Sequence, residues 1–220
     1  DYAASVEFGI DTVNPEVVAI SSSFADVELD GFVSDSDPVV DYQVSFSEPI
    51  PGMGGQDISV AGGSLVPGSV DVAEGGMSAT FSVTATDDSM DALSVTVLGT
   101  VTDIHGNFLA ETATSAPEVV DTVNPTITTF EQSFGDDVDD GILADAEQPI
   151  IYNVSFSEPV QSFTKSDINT AGNGTVQSDI TIDTDLYGEI RGASFSVVAR
   201  DNFEGELIVN IEPSVLDLNG

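Results

Sequence analysis

The sequence predicts an all-β fold, laid out as two tandem antiparallel β-sandwich domains in an elongated arrangement. Three observations carry that expectation. Asp-Thr-Val-Asn-Pro occurs at residues 11–15 and again at 121–125, half a chain apart in 220 residues. Valines and isoleucines alternate with small polar residues in short runs bounded by Gly, Pro and Asp, the signature of half-buried strands. No segment carries the apolar spacing of a convincing amphipathic helix. Each half is long enough to bury a core of its own.

Strand signals follow one another in order through the first copy. "EVVAIS" (16–21) opens after Pro15, whose ring restricts the chain where the strand begins. "VVDYQVSF" (39–46) follows, and Val44 and Phe46, with Val154 and Phe156 in the second copy, read as inward-facing core. "DISVAGGSLV" (57–66), "SATFSVTAT" (78–86), "ALSVTVLGT" (92–100) and "FLAETATS" (108–115) complete the set. About seven short strands in about 110 residues indicate a sandwich of immunoglobulin type, here without its Cys-Trp-Cys signature.

Laid without gaps on residues 121–170, residues 11–60 are identical at twenty of fifty positions, and the matches fall on turns and acids. "YQVSFSEP" meets "YNVSFSEP". After a four-residue insertion in the second copy, "FSVTA" meets "FSVVA" and "VTDIHGN" meets "VLDLNG". The expected organisation is residues 1–10 as the last strand and linker of a preceding repeat, 11–120 as one repeat with its linker, and 121–220 as a second repeat without its last strand. The opening "DYAASVEFGI" reads as the interior of a longer or processed chain. Since residues 1–10 align with 111–120, a head-to-tail exchange is expected, in which residues 1–8 of one copy add to the vacant edge of another.

Charge dominates the composition: 39 Asp and Glu oppose 3 Lys and Arg, a formal net of -36. Nucleic acid and anionic membrane surfaces are excluded as partners by repulsion. No apolar run approaches the roughly 18 residues of a membrane-spanning helix, so membrane insertion is not expected. All three basic residues, Lys165, Arg191 and Arg200, lie in the second half, so the carboxylates of residues 1–160 find their counterions in solution. Two readings compete there: acids hydrated and screened as in a salt-adapted protein, or acids gathered in loops around bound ions.

The acids recur in loops. In an immunoglobulin-type sandwich the turns after "VSF" and at "TDIHGN" lie at the end where the first strand enters. Asp11 therefore sits beside Glu48, Asp57, Asp103 and Asn107, and in the second copy Asp121 sits beside Glu158, Asp167 and Asp217. Oxygen donors alone suit a hard cation, Ca2+ before Mg2+, and several ions are expected. With no Cys and one His, zinc is disfavoured. Each acid taken alone also fits a simpler description as a turn former or a hydrated loop residue. A second acidic stretch, "DVELDGFVSDSD" (26–37), places Asp26, Glu28, Asp30, Asp35 and Asp37 at loop positions 1, 3, 5, 10 and 12 with Gly31 at 6, a spacing similar to a calcium-binding loop. Its counterpart (136–147) retains Asp136, Asp140, Asp145 and Glu147. The alternative for both is a plain acidic turn.

"DT-x-x-P", "VSFSEP", "DI-x-V-x-GG" and "TD-x-x-GN", in that order and twice over, resemble the bacterial Ig-like repeats of large extracellular adhesins of the RTX and biofilm type. The resemblance implies a stalk or extender role outside the cell, at the bacterial surface, with neighbouring repeats of the same chain as partners. It also implies calcium stiffening of the interdomain junction through Asp11, Glu48, Asp57, Asp103, Asn107, Asp121, Glu158, Asp167 and Asp217. A carbohydrate- or protein-binding module of a secreted, salt-adapted protein is the alternative; the absence of Trp and the core placement expected for most Phe and Tyr argue against a sugar platform. Catalysis is not expected. Paired carboxylates in polar, Gly-rich loops lack the apolar cleft that keeps one acid protonated, and His105, present in one copy only, reads as a turn residue.

Overall fold

The computed structural model describes residues 7–25, 31–135, 142–145, 148–177 and 179–219. The chain divides into two compact units, Asp1–Val123 and Asn124–Gly220. Both are built from antiparallel sheets in sandwich-like layers, and the regular non-β elements of the described residues are short 3-10 turns.

In the first unit, β1 (Val17–Phe24), β2 (Val39–Phe46), β6 (Ser78–Ala85) and β4 (Gly63–Leu65) form one sheet, with β5 (Asp71–Val72) also on β6. The facing sheet is β3 (Ile58–Ala61), β7 (Ser94–Val97) and β8 (Ala113–Thr114). Strict alternation along β2 and β6 sends Val40, Tyr42, Val44 and Phe46, with Ala79, Phe81 and Val83, into a core shared with Ile58, Val95 and Val97 of the other sheet. Tyr42 and Phe81 stack with centroids 5.7 Å apart. Burial of such side chains contributes on the order of 1.5–3 kcal/mol each.

The run 57–66, expected as one strand, is two strands in different sheets. β3 pairs with β7 and β4 with β6. The chain changes sheets at Gly62, whose φ is +74 and whose missing Cβ leaves room for the Ala92 carbonyl oxygen, so only glycine fits without strain. The run 108–115 also differs from expectation, with only Ala113 and Thr114 on the ladder. Before them the chain bridges the sheets: the Leu109 N–H donates to Val101 O (2.8 Å) and the Ala110 N–H to Pro15 O (2.9 Å).

The second unit repeats the plan. β9 (Ile127–Ser133), β10 (Ile150–Val160), β14 (Ile190–Ala199) and β12 (Gly174–Val176) form one sheet, with β13 (Thr181–Thr184) on β14; β11 (Ile168–Asn169) and β15 (Asn210–Ile211) form the other. Its core gathers Tyr152, Val154 and Phe156 with Phe163, Phe195 and Val197. Among the described residues no strand lies outside β15, where β8 covers β7 in the first unit. No helix of the described residues is long and apolar enough to cross a membrane.

Candidate functional site

The turn Asp103-Ile-His-Gly-Asn107 is folded by its own aspartate. Asp103 Oδ1 accepts the N–H groups of His105 (2.8 Å) and Asn107 (2.9 Å), and Oδ2 accepts the Asn107 side-chain amide (2.8 Å). The backbone closes alongside, Asp103 N–H to Asn107 O (3.0 Å) and Gly106 N–H to Asp103 O (3.3 Å), with Gly106 at φ +91. Aspartate supplies the local acceptor and glycine the left-handed residue. Asp185-Leu-Tyr-Gly-Glu189, at the β13–β14 hairpin, is the same turn: Asp185 Oδ1 accepts from Tyr187 (2.8 Å) and Glu189 (3.1 Å), and Gly188 has φ +87. In Asp217-Leu-Asn219, Asp217 Oδ1 accepts the Asn219 N–H (2.9 Å). Asn219 thus occupies the place of His105, not of Asn107.

Electrostatics separate these turns. Burial raises the Asp103 pKa, but hydrogen bonds from the Asn107 side chain and from the backbone of Asn107, His105 and Gly106 outweigh it, and the carboxyl lies below the usual aspartate value. Asp185 behaves likewise: burial works upward, and the N–H groups of Tyr187 and Glu189 together with the Arg191 guanidinium prevail. Arg191 Nε lies 3.4 Å from Asp185 Oδ2. Asp103 instead has acids around it. Asp11, Asp103 and His105 bring ligand atoms within 4.8 Å of one another, and His105 Nδ1 is 2.8 Å from Asp11 Oδ2. Glu48 stands near enough that its pKa is raised, first by desolvation and then by the charges of Asp11 and Asp103, against a lowering from His105.

Asp57 and its counterpart Asp167 cap 3-10 turns. Asp57, 5% exposed, accepts the Gly54 N–H (3.0 Å) and Gln56 side chain (2.9 Å) on Oδ2 and the Thr100 hydroxyl (2.7 Å) on Oδ1. Asp167 accepts the Thr164 N–H (2.8 Å) and hydroxyl (2.9 Å), and the Ser214 hydroxyl (3.0 Å). Both carboxylates are held by donors on each oxygen, and neither belongs to a cluster of potential ligands among the described residues.

In the second unit Glu158 and Asp217, the equivalents of Glu48 and Asp103, bring carboxylate oxygens within 4.8 Å. Asp121 ends the first unit: its N–H donates to Val33 O (3.0 Å) and its Oδ1 accepts the Val123 N–H (3.3 Å), as Asp11 Oδ1 accepts from Val13 (3.1 Å). Thr122 beside it is 2% exposed and clamps residues 86–89, donating its hydroxyl to Thr86 O (2.7 Å) and accepting the Ser89 N–H (3.0 Å).

Of the calcium-loop-like stretches, Asp26, Glu28, Asp30, Asp136, Asp140 and Glu147 lie outside the described residues. Asp37 is buried, accepting the Ser34 hydroxyl at 2.7 Å. Asp35 is half-buried, and Asp145 is exposed with the Gln148 amide at 3.5 Å.

Two residues were missed from sequence. His105 is a turn residue, as read, but its ring also meets Asp11. Asp185 was legible through its D-x-x-G pattern, shared with "DIHG", and was passed over because the overlay of the copies breaks at the insertion. Asp11 and Asp103 offer carboxylate oxygens close together, with Glu48 raised first by desolvation and then by their charges, and carboxylate oxygen is the chemistry that fits a hard cation. His105 contributes a nitrogen that such a cation does not favour. Fold and turns define a class: tandem antiparallel β-sandwich units with carboxylate-bearing turns. No family model and no curated protein matches the chain.

Proposed function

We propose that the chain is a pair of extender repeats of a bacterial surface adhesin of the Ig-like type, stiffened by Ca2+ at the acidic turns and working outside the cell as a spacer, not as an enzyme. The observation that carries the reading is the recurrence, in two units of one chain, of an aspartate turn that gathers a second carboxylate: Asp103 with Asp11, within the electrostatic reach of Glu48, and Asp217 with Glu158. Screening alone has no reason to place acids twice on the same turns. Bound Ca2+ would offset the desolvation and the repulsion by Asp11 and Asp103 that raise Glu48 and would order the segment Asp11–Pro15 that leads into the first repeat. Neighbouring repeats are the partners this role requires.

Calorimetric Ca2+ titration at low and high NaCl, with X-ray scattering in Ca2+ and in EDTA, tests the proposal. Several ions that remain bound at high salt, and a maximum dimension that changes with chelation, are expected. Heat that vanishes with NaCl, or identical scattering, overturns it.

One observation favours the binding-module reading. Leu186 and Tyr187, at the β13–β14 hairpin in the insertion of the second copy, are 100% and 89% exposed, an apolar and aromatic tip suited to stacking on a sugar ring. A glycan array with the chain and its Tyr187→Ala variant decides: Tyr187-dependent retention supports a binder.

A further inference from the structure

In the first unit the segment by which the chain enters and the segment by which it leaves run side by side in the same direction. At the start of β1 the Pro15 carbonyl accepts the Ala110 N–H (2.9 Å). Near the end of β1 the Ser22 hydroxyl donates to the Glu118 carboxylate. Beyond β1, Val33 forms a parallel bridge with Val120: its N–H donates to Val119 O (2.9 Å) and its carbonyl accepts the Asp121 N–H (3.0 Å). Val33 and Val120 are 0% and 2% exposed, so water does not compete for this pair of bonds.

These contacts define how the unit carries tension. A pull along the chain reaches the unit just before Pro15 and leaves it after Thr122, so the two pulls act in opposite senses along parallel segments. The bonds joining those segments then lie across the load and share it. The entering segment is fastened by a ladder from Val17 opposite Phe46 to Phe24 opposite Val40. The leaving segment has a ladder only at Ala113 and Thr114. Past it come the exchange between Glu118 and Leu93, the Val33 bridge, and Thr122, whose N–H donates to Ser89 O (3.0 Å) and whose carbonyl accepts the Asp88 N–H (3.0 Å). The exit is the more sparsely held of the two, so it is where the unit yields.

We propose that the first unit is a tension-bearing module whose clamp is the parallel contact of Val33 with Val119–Asp121. This goes beyond the spacer reading and needs no ion. Forced rupture follows the unfolding rate, so a contact that breaks at the barrier lowers the force, whereas one that breaks later lowers stability alone.

Single-molecule pulling of the 220-residue chain in EDTA tests the clamp. The chain has no Cys, so handles attach only where one is introduced, at the exposed positions Thr12, Ser36 and Asn124. Thr12→Cys with Asn124→Cys loads the contact along its length. Ser36→Cys with Asn124→Cys pulls on the two segments where both leave the bridge by the same end, and peels it bond by bond. The first pair should rupture at a clearly higher force than the second. Val120→Ala and Val83→Ala remove the same methyl groups from one core, Val83 being 0% exposed on β6, and both should lower the thermal midpoint. Only Val120→Ala should lower the rupture force between residues 12 and 124. Equal forces in the two directions, or equal losses of force in the two variants, overturn the inference; either result leaves the calcium titration to be judged by itself.

Discussion

Asp103 and Asp185 hold the same five-residue turn, so comparing them isolates what the acidic neighbours add. Asp103→Ala and Asp185→Ala each remove an acceptor for two backbone N–H groups, and both should lower the thermal midpoint of the chain. Only Asp103→Ala should abolish the rise in the first unit's midpoint on adding Ca2+; an unchanged calcium response of that unit in this variant would mean that the turn is merely structural. The pH dependence has a sign at each acid. Asp103, held below its usual value, contributes stability above that value and loses it as pH falls. Glu48, raised by desolvation and then by Asp11 and Asp103, prefers its proton in the fold, so its ionisation costs stability as pH rises through its folded value. Ca2+ offsets that cost, so calorimetric affinity should weaken on acidification as Glu48 protonates, and Glu48→Gln should flatten this part of the profile. At the alkaline end burial, then the charge of Glu118, pushes the Tyr42 hydroxyl up to about 12 from 10.0. Its contribution to stability is complete below 10 and is lost as pH climbs toward 12; Tyr42→Phe should remove that loss, read by unfolding at stepped pH. The acids were legible as a recurring set. Their division into turn caps (Asp57, Asp167) and clustered carboxylates (Asp11, Asp103) was not, because it depends on donors such as Thr100 and Ser214, more than forty positions away in sequence.

At the scale of elements, alternation was sufficient wherever one face is buried. β2 and β6 read directly from sequence because each inward residue meets the same core. It failed where the chain changes layers. "DISVAGGSLV" alternates through its two glycines, and only the approach of the Ala92 carbonyl shows why Gly62 must be the point of transfer from one sheet to the other. Gly62→Ala introduces both a left-handed alanine and a collision with backbone, and should cost about 1–3 kcal/mol, measured by urea unfolding of the chain; a change within error would mean that the sheet transfer tolerates a side chain. The structure divides the second DTVNP between the two units. Asp121 and Thr122 fasten the end of the first unit through Val33, Thr86 and Ser89, while Asn124 and Pro125 belong to the second. At residues 121–125 the phrase finishes one sandwich and starts the next.

On the whole molecule the question is whether its charge is screened or bound. The first unit carries 21 Asp and Glu with no Lys or Arg, the second 18 with all three basic residues, formal charges of -21 and -15 that sum to the -36 of the chain. Self-repulsion therefore weighs more on the first unit, and screening should stabilise it more. In scanning calorimetry of the intact chain, the transition displaced by Gly62→Ala identifies the first unit, and NaCl should raise that transition further than the other. Ca2+ compared with NaCl at equal ionic strength separates the two mechanisms. Screening depends on ionic strength alone, so equal midpoints would leave the carboxylates hydrated and the turns without ions. Site binding adds a term that grows with the logarithm of free Ca2+ once the site is filled, about 1.4 kcal/mol for each tenfold rise. It acts only through the clustered acids, so Asp103→Ala should cancel it in the first unit and leave the NaCl response intact. A midpoint that climbs with Ca2+ at fixed ionic strength, and stops climbing in that variant, is the outcome expected of a chain whose acids hold ions at the turns.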